Sequence, residues 1–442
     1  MIARAVGRVR GSRLARNALT LYGAQAAAYA IPLLTLPFLA RVLRPEAWGL
    51  LLFSQSFAAA LMLLVEYGFT LSATRAVARL REDDGALARL VGEVQLSKAL
   101  LCACACVIAG GVGVLVPSFR AHPWLLVWAT LWAVGQGMSP LWYFQGQERL
   151  SRPALTELAM RAAAAAAVFP LVRGPGDAWM VLALQAVTSW IAVGVTTAWM
   201  YREVRRVRAP FAAAVRMLRA SAELFVFRGA GGLYTVGNPF LLGVLAGPAA
   251  VALYGGGERI MRAAVNLLAP ASQALFPRVS YLMANDRARG DRLVRVSLLA
   301  MAGVGTVLSG VLALSAPLVV PLLLGPGYEQ VVPVLRVLAV LPLLIGVNTA
   351  LCVQWALPLG LDRAVVWAVA GAAVVNTVFA LLAVPAYGAV GMAWGLVAAE
   401  AWITLSLGLR YRAGVPQAAA PAVPAAPAPR AAARGEDLAL PV

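Results

Sequence analysis

Apolar residues along this chain fall into blocks of about 20, the length an α-helix needs to cross a bilayer. They are separated by short, mostly basic connections. Twelve such blocks can be marked: 18–40, 47–70, 96–116, 124–144, 154–172, 179–201, 222–246, 250–275, 296–316, 333–358, 364–384 and 388–409. The fifth is the weakest, because Arg161 interrupts it, and the ninth can be extended to Leu324 across Pro317 and Pro321. The pattern predicts an all-α integral membrane protein with about twelve transmembrane helices and no sizeable soluble domain.

Composition agrees. Of 442 residues, 61% are apolar and only 13% are charged, about half the charged fraction of a water-soluble domain. The mean hydropathy is +0.79. With so little polar material to cover a core, lipid must be the solvent for most of the surface. The net charge of +18 would suit a nucleic-acid binder, but its placement assigns it to topology instead. With the N-terminus in the cytoplasm, basic clusters from Arg4 to Arg16, Arg75 to Arg89, Arg149 to Arg161, Arg202 to Arg219 and Arg278 to Arg295 all fall inside, with Arg363 and Arg410 to Arg434. Only Arg41, Arg44, Arg120 and Arg173 fall in outside connections. That is the positive-inside rule. It predicts cytoplasmic termini, a multi-pass protein of the bacterial inner membrane, membrane lipids as partners and no nucleic acid.

The expected organisation is a basic cytoplasmic N-terminus (1–17) leading into a retained signal anchor, then an N-lobe of helices one to six (18–201). A basic linker (202–221), a C-lobe of helices seven to twelve (222–412) and an Ala/Pro-rich, disordered tail (413–442) follow. Two internal echoes support the two-lobe scheme. Pro37-Phe38-Leu39-Ala40-Arg41-Val42-Leu43-Arg44-Pro45 is matched by Pro239-Phe240-Leu241-Leu242-Gly243-Val244-Leu245-Ala246-Gly247-Pro248. Gly146-Gln147-Glu148-Arg149 is matched by Gly360-Leu361-Asp362-Arg363. Both fall at equivalent positions in a six-plus-six arrangement. They predict parallel repeats around a central cavity, a transporter architecture.

Particular stretches resemble a known family. They are Arg16-Asn17-Ala18 before helix one, Leu43-Arg44-Pro45-Glu46-Ala47-Trp48-Gly49 between helices one and two, and Glu66-Tyr67-Gly68-Phe69. Trp142-Tyr143-Phe144-Gln145-Gly146-Gln147-Glu148-Arg149 is the most specific piece. Leu324-Gly325-Pro326-Gly327-Tyr328 and Tyr387-Gly388-Ala389-Val390-Gly391 complete the set. Over roughly residues 16–412 the chain resembles the O-antigen and polysaccharide repeat-unit flippases of the multidrug/oligosaccharidyl-lipid/polysaccharide exporter superfamily. The resemblance implies a two-lobed, twelve-helix fold. It implies an undecaprenyl-diphosphate-linked oligosaccharide as substrate, moved from the cytoplasmic to the periplasmic leaflet by alternating access, with a polysaccharide polymerase or glycosyltransferases as candidate partners. The chain departs from the pattern at Asn238-Pro239, where relatives often carry an acid.

Ionisable residues within spans are costly and so are functional candidates. In helix eight, Arg259 and Arg262 lie ~14 and ~18 Å from the outer end near Ala250. They share one helix face, behind Gly255, Gly256 and Gly257. Guanidinium groups bind phosphate oxygens bidentately, so both are expected to face the cavity and hold the diphosphate or an acidic sugar. A structural Glu258–Arg262 pair is the alternative. Arg228 in helix seven is a third cationic candidate, reaching the cavity or snorkelling to the headgroups. Arg336 and Lys98 are expected to snorkel. Glu258, Glu400 and Glu66 are the candidate coupling or pairing acids. Gln25, Gln136, Asn238, Asn266, Gln273, Asn348, Gln354 and Asn376 are polar candidates for lining the cavity or for interhelical bonding. Trp142, Tyr143 and Phe144 are expected in an interfacial aromatic belt.

No catalytic residue, metal or cofactor is expected: the four cysteines lie within apolar runs, His122 is the sole histidine, and no paired carboxylate–His motif is found. A lipid II flippase or a cation-coupled multidrug exporter of the same superfamily remains the alternative. A membrane glycosyltransferase or polymerase fits less well, because the outside connections are too short to carry a catalytic loop.

Overall fold

The structure is a computed structural model that describes residues 13–413, without the side chains of 13–30 and a few in 223–233 and 271–274. The basic segment before Arg13 and the tail after Ala413 lie outside the described residues, as do the side chains of Arg16, Asn17, Gln25 and Arg228.

Among the described residues the fold is helical. In chain order the helices are α1 (Arg13–Glu66), α2 (Phe69–Arg79), α3 (Asp84–Leu115), α4 (Pro117–Ala121), α5 (Pro123–Gly137), α6 (Leu141–Gly146), α7 (Ser151–Leu171) and α8 (Ala178–Glu203). Then come α9 (Phe211–Val236), α10 (Asn238–Val265), α11 (Ala269–Asn285), α12 (Arg287–Leu324), α13 (Val331–Leu338), α14 (Leu341–Thr349) and α15 (Asp362–Ala413). Among the described residues, eight helical stretches are long and apolar enough to cross a membrane. Several of the twelve expected spans merge or break. α1 and α15 each hold two, divided by a kink, and the fourth is cut at Met138–Pro140, leaving α5 with 15 residues. Helix α9 starts at Phe211, so the non-helical part of the mid-chain connection is only 204–210.

The kinks are reversals. Ile31 and Met62 line one cavity, whereas a straight helix would hold them ~46 Å apart. The chain turns at Arg44 (φ 62°, ψ 168°) ahead of Pro45. In the second half it turns at Gly247 (φ 81°, ψ 173°) ahead of Pro248. These are the positions that the Pro-Phe-Leu echo aligns, and the two backbones adopt the same conformation. Proline suits the first position of the returning helix, because its missing N–H would go unpaired there anyway. The preceding residue occupies a region that essentially only glycine visits freely, so Arg44 holds a conformation costing about 1–3 kcal/mol.

The second echo is also structural, but in a different register. After α6, Arg149 N donates to Phe144 O (2.9 Å) and Glu148 N to Gln145 O (3.1 Å). After 350–359, Leu361 N donates to Ala356 O (3.0 Å) and Gly360 N to Leu357 O (3.0 Å). Both are Schellman endings, with Glu148 (φ 58°) and Gly360 (φ 68°) as the left-handed residues. Glu148 is therefore the partner of Gly360, two residues on from the Gly146 that sequence matching pairs with it.

The two reversals pack against each other. A Cβ on Gly49 would lie 1.9 Å from Pro248 O, so backbone meets backbone there. Tyr328, just after the α12 end, is buried and donates its hydroxyl to Ala40 O (2.8 Å). Arg41 donates to Leu322 O (2.6 Å). First and second halves are thus sealed together on the face that carries the turns. On the opposite face Tyr67 stacks on Phe225 (4.5 Å between ring centroids) and Ser72 Oγ lies 3.1 Å from Ser221 Oγ.

If the turn conformation governs both reversals, Gly247→Val lowers the apparent Tm of the purified protein, while Arg44→Gly does not. The opposite order in a thermal-shift measurement would contradict the equivalence.

Candidate functional site

Beneath the sealed face lies a cavity of about 350 Å3. Its walls come mainly from the first half: Thr35 and Leu39 on the outgoing arm of α1, Gln55 and Met62 on the returning arm, Trp132 and Gln136 on α5. Glu157 and Arg161 on α7, and Gln185, Thr188 and Ser189 on α8, complete that side. From the second half, Arg259 on α10 closes it.

The returning arm of α10 starts at Pro248, so Arg259 sits ~16 Å along it, near mid-membrane depth. Gly255, Gly256 and Gly257 bring this arm close to its neighbours. A Cβ on Gly255 would lie 2.4 Å from Leu52 Cδ1 and one on Gly256 would lie 3.3 Å from the Trp48 ring. The contact holds the start of α10's arm against the first half and delivers Arg259 into the cavity wall. Its Nη2 donates to Gln55 Oε1 (2.8 Å), and its guanidinium lies over the Trp48 ring, 5.8 Å from the centroid, a cation–π distance. Gln55 Nε2 in turn donates to Gln185 Oε1 (3.2 Å). Among the described residues no carboxylate lies within ion-pair distance of Arg259. The adjoining Glu258 is turned away and taken by Arg262 (2.7 Å).

Arg262, one turn further on, is placed differently. Its guanidinium bonds Glu258 Oε1 through both Nε (3.1 Å) and Nη2 (2.7 Å), and also Thr235 O (2.8 Å). It does not line the cavity described above. The two arginines share a helix face in projection, yet only Arg259 reaches the cavity. Arg228 belongs to α9, and its side chain lies outside the described residues.

The acids separate as well. Glu400 on α15 is buried. It accepts from Asn348 Nδ2 (2.7 Å) and from the Tyr234 hydroxyl (3.5 Å), and Thr404 Oγ1 donates to Asn348 Oδ1 (2.7 Å). Beside it, Asn376 Nδ2 donates to Asn238 Oδ1 (2.7 Å), and Asn238 Nδ2 donates to the Tyr254 oxygen (3.3 Å). Asn238, Asn348 and Asn376 therefore bind helix to helix within the second half. Gln354 lies in a π-helical turn, 350–356, and accepts from Ser297 Oγ. Gln136 alone of the sequence-marked amides with described side chains lines the cavity. Glu66 accepts from Thr70 Oγ1 (2.5 Å).

Three expectations need correction. Lys98 does not snorkel: it is 2% exposed and donates to Gly137 O (2.8 Å) and Ser139 O (3.0 Å). It caps the carbonyl end of α5 where the fourth span breaks, and those two bonds offset part of what burying an ammonium costs. Trp142, Tyr143 and Phe144 are not an interfacial belt; they are buried in a core with Phe69, Val77 and Val94. Arg161, counted with the basic residues of the inside face, lies instead ten residues into α7, about mid-span, and lines the cavity. Glu157, one turn before it on the same helix, and Gln185 with Ser189 on α8 were likewise passed over. The i,i+4 spacing of each pair is the signal that brings them to one face.

The family described as polysaccharide biosynthesis protein matches residues 14–283. A protein of Escherichia coli (strain K12) named "Putative O-antigen transporter" is 30% identical over 344 residues, 77% of this chain and 83% of the relative. A Shigella dysenteriae protein of the same name is 26% identical, over 88% of this chain and 98% of the relative. Among solved structures, lipid II flippase MurJ in an inward closed conformation superposes with TM-score 0.68 at 12% identity, covering 90% of this chain and 87% of that one. An inward-facing MATE family transporter of the MOP superfamily gives 0.63 at 14%, covering 86% and 96%. The fold is that of these two-lobed transporters.

Gly49→Val forces side-chain atoms into the Pro248 carbonyl and is expected to part the sealed face. In a protein freed of native cysteines, with a cysteine at Leu39, labelling by a membrane-impermeant thiol reagent from the Arg44 side rises several-fold. Unchanged labelling would mean that the seam does not close the cavity.

Proposed function

We propose a function on one premise: the chain belongs to the polysaccharide biosynthesis protein family. It is a multi-pass membrane transporter of the polysaccharide and O-antigen kind, with the fold of the MOP superfamily. Its cargo is an undecaprenyl-diphosphate-linked oligosaccharide, carried from the cytoplasmic to the periplasmic leaflet of a bacterial inner membrane. The termini lie in the cytoplasm, and the turns at Arg44 and Gly247 face the periplasm. The two halves rock about the cavity, and the seam between the turns is the periplasmic closure. A transport role fits a cavity lined by apolar side chains, amides, hydroxyls, two guanidinium groups and one carboxylate.

The observation that carries this reading is Arg259. A guanidinium at mid-membrane depth is costly unless paired. This one is partnered by a neutral amide and an aromatic face, with no carboxylate in ion-pair distance among the described residues and its side chain in a cavity wall. That is a site prepared for an anion, and a lipid diphosphate supplies one. Around it Gln55, Gln185, Thr188 and Ser189 offer bonds suited to sugar hydroxyls. A cation exporter would need net negative charge here, whereas two arginines, Arg161 and Arg259, line the cavity with the one carboxylate of Glu157. Arg262 and Arg228 act at a second rank, Arg262 by holding Glu258 and shaping the helix that presents Arg259. Glu400, buried among Asn348, Tyr234 and Thr404, is the acid proposed to couple transport to protons; Glu258 and Glu66 serve in pairing.

Arg259→Ala is expected to abolish surface polysaccharide in a complementation assay at normal membrane protein levels, and Arg262→Ala to reduce it less. Full complementation by Arg259→Ala would reject the anion site. In vesicles, Glu400→Gln is expected to remove the dependence of transport on a pH gradient; an unaltered dependence would free Glu400 of a coupling role.

A further inference from the structure

Arg161 presents an amide relay like that of Arg259, from the opposite half of the molecule, but with a carboxylate, Glu157, at the edge of ion-pair distance. It stands ten residues into the 21-residue α7, ~15 Å from either end, and so at about the depth of Arg259. Its Nη2 donates to Gln136 Oε1 (3.1 Å), and Gln136 Nε2 donates to Ser189 Oγ (3.1 Å). Arg259 runs to Gln55 and then to Gln185. The two relays end four residues apart on α8, so one face of that helix anchors both guanidinium groups.

The carboxylate nearest Arg161 does not satisfy it. Glu157 Oε2 is 3.9 Å away, beyond hydrogen-bond reach, while Glu157 Oε1 is engaged by Ser139 Oγ at 2.5 Å. The Arg161 side chain is 49% exposed and that of Glu157 10%. The acid is therefore held back in the wall near the broken end of α5, and the guanidinium reaches into the cavity with most of its five donors unspent.

We infer that Arg161 and Arg259 form one two-sided anion clamp, in which a ligand bearing two separate anionic groups bridges the two halves of the protein. Resting on the reading that the cavity takes a phosphorylated lipid, the clamp adds a second contact on the first half and a ligand class, a pair of linked anionic groups and not a single phosphoryl group. A diphosphate meets this with its two phosphoryl groups, and an acidic sugar next to a phosphate meets it equally. Because one arginine belongs to each half, the ligand is held most tightly when the halves are together. Its release then accompanies their separation.

The test is binding to the purified full-length protein in nanodiscs, read by the fluorescence of the native tryptophans, Trp48 and Trp132 being at the site. Undecaprenyl diphosphate is one probe, undecaprenyl monophosphate a second, and a soluble disaccharide of two uronic acids, with two carboxylates, a third. Wild type is expected to prefer the diphosphate over the monophosphate by at least tenfold. Arg161→Gln is expected to weaken the diphosphate by roughly tenfold to a hundredfold, the loss of one charge-assisted contact, and to erase that preference. Arg161→Lys recovers part of the affinity, and Glu157→Gln binds at least as well as wild type. If the disaccharide instead shows the Arg161-dependent binding, the clamp stands with the acidic sugar as its ligand. Wild-type affinity for every probe in Arg161→Gln, with binding lost in Arg259→Gln, overturns the clamp and leaves the single-arginine reading. Equal losses in Glu157→Gln and Arg161→Gln make the pair structural and also overturn it. No binding of any probe to wild type overturns both.

Discussion

A guanidinium at the middle of a bilayer must find electron-rich partners inside the protein or leave the membrane. That constraint organises this molecule. Arg259 reaches the cavity wall because three glycines let its helix press against the first half. It stays there because Gln55 and the Trp48 ring receive it. Neither partner carries a full negative charge, so the protein stabilises the cation in position without neutralising it. Glu258, the nearest acid in sequence, is withdrawn by Arg262. Of the two arginines, Arg262 therefore pairs with the acid and Arg259 bonds a neutral amide.

The same residues join the cavity to the sealed face. Trp48 touches Arg259 on one side and packs edge-on against Tyr328 on the other, 5.5 Å between ring centroids. The Tyr328 hydroxyl holds Ala40 O, and Gly49 lies directly on Pro248. Whatever draws Arg259 away from Trp48 acts on a side chain that is part of the closure. Under the proposed function, this contact would let substrate binding bias one arrangement of the halves over another.

Much of the fold was legible in the chain because its causes are local. Blocks of about 20 apolar residues define spans, and the Pro-Phe-Leu echo marks two reversals whose backbones coincide at Arg44 and Gly247. Arg259 was legible because a charge in an apolar run is conspicuous. What was not legible depended on partners distant in sequence. Arg161 read as a topology charge because α7 is weakly apolar, and only its position opposite Arg259 reveals it. Lys98 read as a snorkelling cation because nothing local says that a helix breaks beside it at Gly137 and Ser139. The aromatic run 142–144 was assigned to the lipid interface by type, whereas packing against α2 and α3 buries it. Arg262 shares a face with Arg259, but a short side-chain bond to Glu258 decided its direction.

The most direct measurement is a cryo-electron microscopy structure of the protein in nanodiscs with undecaprenyl-diphosphate-linked oligosaccharide bound. The expected result is phosphate density in the cavity within hydrogen-bond reach of the Arg259 guanidinium, with Gln55 displaced from it. Substrate density elsewhere, with Arg259 still bonded to Gln55 and stacked on Trp48, would contradict it.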